Sequence, residues 1–204
     1  MVLFQYPETL HVRRHGPSGY QNYVSYKPWL RDEFTFQCVY CLCRERWFPD
    51  GKTAFSIDHL HPQLSAPERR TEYDNLLYAC CQCNSVRGAS PVPDPCEYAY
   101  GQLLRVLEDG FVEALTSSGH ELIEICRLNR PHLVTFRRGM MDVIATLRQR
   151  KDGSAEELMR HYLGFPVSLS NLALLRPPTG NSRPSGIDHS YCAQRSRGEL
   201  PDTY

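Results

Sequence analysis

Two cysteine pairs, Cys38-Val39-Tyr40-Cys41 and Cys80-Cys81-Gln82-Cys83, constrain this chain more than any other feature in it. Each puts two thiols on one turn, and residues 42–79 between them are enough for a small structural unit whose ends a metal would tie together. A tetrahedral zinc ion takes four soft ligands, and two such turns supply them. Cys38, Cys41, Cys80 and Cys83 are therefore expected to hold a structural Zn²⁺. One C-x-x-C alone would leave a redox site open. Two pairs around a common segment favour metal, and clustered cysteines in a chain without a secretion signal point away from disulfides. Cys43 and Cys81 are extra thiols within the clusters. Either is open as a substitute ligand, though a free thiol is the simpler assignment, and Cys96, Cys126 and Cys192 are scattered.

The chain has 204 residues, 41% of them hydrophobic, which is enough for a real core. Its 23 basic and 23 acidic residues cancel, so bulk charge does not hold it on nucleic acid and any such contact needs a local patch. Residues 1–10 have neither a cationic start nor a long apolar run, and no stretch approaches bilayer length. The expectation is a soluble, cytoplasmic protein with no membrane partner.

Four segments follow one another. Residues 1–37 form an aromatic and basic arm, including Tyr6, Arg13, Tyr20, Tyr23, Trp29 and Arg31, without periodicity. Such an arm either tracks a phosphate backbone or wraps a small core, and the second reading is favoured. Residues 38–95 hold the motifs, with short strands expected at Phe55-Ser56-Ile57 running into Asp58 and at Leu76 to Ala79, and a helix from Asn84 to Gly88. Residues 96–176 are expected to be mainly helical: a helix opened by a Ser118/Glu121 capping box and running through Leu128, a second from Pro131 to Arg150, and a third from Ala155 to Leu163. Residues 177–204, rich in Pro, Gly, Ser and Arg, are expected to be largely disordered. The fold class is α+β.

Between the cysteine pairs lie Ile57-Asp58-His59-Leu60-His61-Pro62, then Asp74-Asn75-Leu76, then Cys83-Asn84-Ser85-Val86-Arg87-Gly88. Taken singly, these have ordinary readings: Asp58 and His59 end a strand, Asn75 makes a turn, Arg87 is a solvated helix charge. In this order, they resemble the HNH endonucleases, in the form with paired cysteine knuckles and asparagine in place of the final histidine. The resemblance covers about a quarter of the chain. It implies a ββα-metal core and cleavage of DNA to a 5′-phosphate and a 3′-hydroxyl.

The residue types suit that chemistry. Phosphodiester hydrolysis needs an activated water, a cation on the phosphate and stabilisation of the departing oxygen. His59 suits the general base. Asp58 and Asn84 offer hard oxygens for Mg²⁺ or Mn²⁺, and the amide at Asn84 departs from the family's final imidazole. Asn75 is expected to orient the loop and the base, Arg87 to hold a phosphate, and His61 to be auxiliary. The leading expectation is a metal-dependent DNA endonuclease, in restriction or anti-phage defence, with RNA also open as substrate. The alternative is a zinc-dependent nucleic-acid-binding subunit, inactive alone and activated by a partner ATPase or sensor. A homodimer is a further partner reading, since one module holds one active site.

Overall fold

The computed structural model describes residues 3–150 and 152–204. The arm's aromatic side chains are used on the core. Phe4 and Tyr6 are buried, and the Tyr6 hydroxyl donates to the Tyr40 carbonyl at 2.7 Å, inside the first cysteine turn. Arg13 lies over the rings of Phe34 and Tyr73 and donates to the Leu76 carbonyl at 2.9 Å. A 3-10 turn, Tyr23–Tyr26, runs into helix α1, Lys27–Glu33. Pro28 suits that first turn because its missing N–H would find no helical partner there anyway. Trp29 and Leu30 are completely buried, and Arg31 forms a two-pronged pair with Glu45, Nε to Oε1 and Nη2 to Oε2, both at 2.8 Å.

The motif region folds as strand, loop, strand, helix. Strand β1, Phe55–His59, pairs antiparallel with β2, Leu76–Cys80, in a register that sets Asp58 opposite Leu77 and His59 opposite Leu76. Both strands are almost wholly buried because α1 and the following helix cover them. That helix, α2, spans Cys81–Arg87; its N-cap is Cys80, whose sulfur accepts from the Cys83 N–H at 3.4 Å. Gly88 ends it at φ 58° and ψ −126°, a conformation that side-chain-bearing residues avoid.

The extension departs from the expected pattern in two places. After a short helix α3, Tyr100–Leu103, comes a hairpin, β3 (Leu104–Val106) with β4 (Val112–Ala114). Three-residue strands are too short to print a period-two pattern. Helix α4, Ser117–Cys126, is capped by Thr116, whose hydroxyl accepts from the Gly119 N–H at 3.1 Å, so the Ser118/Glu121 box does not open it. In its first turn Gly119 sits against the Leu103 carbonyl, where a Cβ would collide. Arg127, left-handed at φ 44°, closes α4 ahead of the expected end at Leu128. Helices α5 (Pro131–Gln149) and α6 (Gly153–Leu163) stand where helices over Pro131–Arg150 and Ala155–Leu163 are expected, α6 beginning two residues earlier, with Ile144, Leu147, Ala155 and Leu163 packed together.

Residues 177–204 are folded, which corrects the expected disorder. They carry two short helices, α7 (Ser185–Asp188) and α8 (Tyr191–Arg197). Their polar composition is matched by partners on the arm, on α1 and in the loop before β2 that the sequence gives no sign of. Asn181 Oδ1 accepts from the Gly16 N–H at 2.8 Å, the Arg183 guanidinium pairs with Asp74 at 3.0 Å, and the Tyr191 N–H donates to Asp32 at 2.8 Å. Tyr204 stacks on Phe165 with ring centroids 4.4 Å apart. One hydrophobic cluster runs through arm, motif region and extension, from Phe4 through Leu77 to Leu122 and Met140. Among the described residues no helix is long and apolar enough to cross a membrane.

Candidate functional site

The cysteine turns meet as their spacing requires. The sulfurs of Cys38, Cys41, Cys80 and Cys83 all lie within 4.8 Å of one another and all four side chains are buried. Zinc–sulfur bonds of about 2.3 Å in a tetrahedron put ligand sulfurs about 3.8 Å apart. The Cys41–Cys80 separation is 3.8 Å, far beyond a disulfide bond. The donor set therefore fits structural zinc. Hydrogen bonds from Cys38 and Cys41 hold the Cys80 and Cys83 thiols below the ordinary value, whereas burial pushes Cys38 above it. Zinc with four thiolates carries a net double negative charge, and Arg130, just before α5, donates from Nη2 to Cys83 Sγ at 3.4 Å. Leu42, directly after Cys41, is left-handed at φ 63°, and its N–H donates to the Cys38 carbonyl at 3.0 Å. Cys43 is buried beside the four and Cys81 is exposed; neither belongs to the cluster.

Asp58 and His59 stand at the end of β1. The Asp58 carboxylate accepts from Arg87 Nη1 at 2.7 Å and the His59 N–H at 2.8 Å on Oδ1, and from the Tyr40 hydroxyl at 2.5 Å on Oδ2. Burial raises its pKa, and Arg87 and Tyr40 pull it back. Since every partner donates, the carboxylate is the form being held. Asn84, one turn before Arg87 on α2, donates its amide N–H groups to Ser56 Oγ at 2.9 Å and the Ile57 carbonyl at 3.2 Å. Among the described residues no protein donor reaches its oxygen. Asp58 on β1 and Asn84 on α2 each carry a hard oxygen of the kind a divalent cation takes.

His59 is held at both ring nitrogens. Nε2 lies 3.0 Å from the Arg70 carbonyl, which can only accept, so Nε2 bears the hydrogen of the neutral ring. Nδ1 is then the basic nitrogen, and it accepts from the Gln63 amide at 3.2 Å. Burial, the largest influence, lowers the imidazole pKa, which favours the neutral ring near pH 7. The Tyr23 ring meets the imidazole edge-on, centroids 4.8 Å apart. Asn75 is fully buried and closes the loop between the strands: Oδ1 accepts from the His61 N–H at 2.8 Å, and Nδ2 donates to the carbonyls of His61 at 3.2 Å and Arg69 at 3.1 Å. The Arg69 carbonyl is next in the chain to the one that fixes His59. His61 itself is exposed.

Arg87 differs from its expected role. It is 2% exposed, and beyond Asp58 it donates to the carbonyls of His59 at 2.7 Å and Leu60 at 2.8 Å. Its guanidinium fastens β1 to α2 and faces no solvent in which a phosphate would sit. Tyr40, Gln63, Tyr23 and Arg70 are contacts that sequence reasoning missed. Tyr40 lies within the first cysteine pair, and only the fold brings it to Asp58.

Residues 38–90, about a quarter of the chain, match the family described as HNH endonuclease. A search of curated proteins finds no match.

Proposed function

Because the chain carries an HNH endonuclease domain at residues 38–90, and with it a metal-dependent nuclease-type function, we propose that it hydrolyses DNA phosphodiesters with His59 as general base. The observation that carries this reading is the fixed tautomer of His59: Nε2–H on the Arg70 carbonyl leaves Nδ1 as proton acceptor on a neutral ring. A water oxygen attacks phosphorus and its proton passes to Nδ1, while the bond from phosphorus to the 3′ oxygen breaks and that departing oxygen takes a proton from solvent water to leave as the 3′-hydroxyl. The Arg70 carbonyl keeps its hydrogen bond as the ring becomes charged. Asp58 and Asn84 would hold Mg²⁺ or Mn²⁺, which supplies charge stabilisation at the phosphate when bound. Arg87 and Tyr40 orient Asp58, and Asn75 holds the loop whose carbonyl orients His59.

The test is nicking of supercoiled plasmid by the zinc-loaded protein with Mg²⁺ or Mn²⁺, with chelator, and with His59→Ala. Cleavage in the metal lanes is expected, falling at least 10²-fold in the variant, the scale of a lost general base. Equal cleavage by parent and variant overturns the assignment of the base.

One contact favours a second reading. The Gln63 amide occupies Nδ1, as in a site held at rest, which suits a nucleic-acid-binding subunit that a partner protein activates. Zinc-loaded protein that binds DNA and cuts with neither metal supports that reading.

A further inference from the structure

We propose that Arg70, presented across the face of Tyr23 beside His59, is the residue that grips a nucleic-acid phosphate in this site. The inference rests on the nuclease reading above and adds the group that contacts the substrate's charge. Arg87 is taken out of that role by burial and by its three interior acceptors. Arg69, the neighbouring cation, is paired with Glu72 at 2.8 Å. Arg70 is exposed and has no carboxylate partner among the described residues. Its guanidinium lies 5.4 Å from the centre of the Tyr23 ring, and that ring packs edge-on against the imidazole.

Arg70 thus serves the site twice. Its carbonyl accepts the Nε2 hydrogen of His59, so its backbone position is tied to the base. Its side chain leaves from the same atom cluster and is steadied by the aromatic face, which limits the rotamer freedom a phosphate would otherwise have to remove. A planar guanidinium with free donors matches the two non-bridging oxygens of a phosphodiester, an arrangement an ammonium does not reproduce.

The test pairs cleavage kinetics with binding. Arg70→Ala, Arg70→Lys and Arg105→Ala are compared with the parent for plasmid cleavage. The same three changes, with His59 intact and no divalent cation added, are measured for duplex DNA binding across a salt series. Arg105, exposed and paired with Glu113 on the distant hairpin, controls for the loss of any one cation. Arg70→Ala keeps the backbone carbonyl and removes only the side chain. It is expected to lower kcat/KM about 10- to 100-fold and to reduce the slope of log K against log salt by about one. Arg70→Lys is expected to retain the slope and recover part of the rate. Arg70→Ala cutting and binding like the parent overturns the proposal, as does an equal loss in Arg105→Ala. If the parent does not cut, the nuclease reading fails while the salt slope still decides the role of Arg70.

Discussion

Glu33, at the end of α1, is a buried carboxylate surrounded by donors. Oε1 accepts from the Arg14 N–H at 2.8 Å and lies 3.4 Å from His11 Nε2; Oε2 accepts from the His15 N–H and the Tyr73 hydroxyl, each at 3.0 Å. Burial alone would raise its pKa, but His11 and the backbone donors bring it down to about 2 from the ordinary 4.5. A depressed folded-state value means stability that is present above about pH 4.5 and lost as pH falls toward 2. The difference amounts to roughly 3 kcal/mol at most. Glu33→Gln is therefore expected to be less stable than the parent by a constant amount above pH 5, with the gap closing between pH 4.5 and 2. Denaturant unfolding at a series of pH values measures it. Zinc loss in acid is common to both proteins and cancels in the difference. A gap that does not close would mean that Glu33's charge is irrelevant. At this scale the sequence is legible where chemistry is bound to spacing, as in the four cysteines and Asp58-His59. It is not legible where a charged side chain turns inward: nothing in the string separates the buried Arg87 from the exposed Arg70, because the helix face and the loop path decide which one meets water.

Helix α2 carries Cys83, Asn84 and Arg87 within two turns, so its ends set both the zinc centre and the Asp58 anchor. The C-terminal end depends on Gly88. Added carbon there would meet nothing within 4 Å, so Gly88→Ala isolates the backbone cost of φ 58° with ψ −126°. That cost is expected at about 1–3 kcal/mol, or roughly 2–4 °C of Tm per kcal/mol for a chain of this size. A thermal melt with zinc bound measures it, and an unchanged Tm would show that the turn relaxes freely. Elements of this kind were legible in proportion to their length and apolar pattern. β1, β2, α5 and α6 print clear patterns, whereas β3 and β4 are too short to. The Thr116 cap was hidden by a better-looking box at Ser118. The tail's sequence points to disorder because Pro, Gly and Ser look alike whether solvent or an arm supplies their partners; Gly186 is small because the Arg14 carbonyl crosses it there.

For the molecule as a whole, the zinc centre is a joint between segments. The arm reaches it through Tyr6 and the Tyr40 carbonyl, and the extension through Arg130 on Cys83 and through Trp47, whose indole N–H donates to the Tyr162 carbonyl of α6 at 2.9 Å. Without the metal, four thiols that share protons replace a rigid tetrahedron, and Arg130 loses the charge it compensates. Because one hydrophobic cluster continues from the arm through the motif region into α4 and α5, and the smaller α5–α6 cluster meets it at Leu3 and Tyr162, loosening the knuckle is not confined to residues 38–90. Structural zinc contributes about 10 kcal/mol in small zinc-folded peptides; even a third of that would lower the Tm here by roughly 10 °C. Stripping zinc with chelator is therefore expected to lower the melting temperature by at least about that much, in one transition. The chain's two tryptophans, Trp29 in α1 and Trp47 beside the knuckle, report the near side by fluorescence, and far-UV dichroism reports α5 and α6. Coincident transitions from both probes would establish that zinc holds the whole chain as one cooperative unit. A helical signal that survives after the tryptophan signal has melted would mean that the extension folds on its own and that Arg130 merely touches the knuckle.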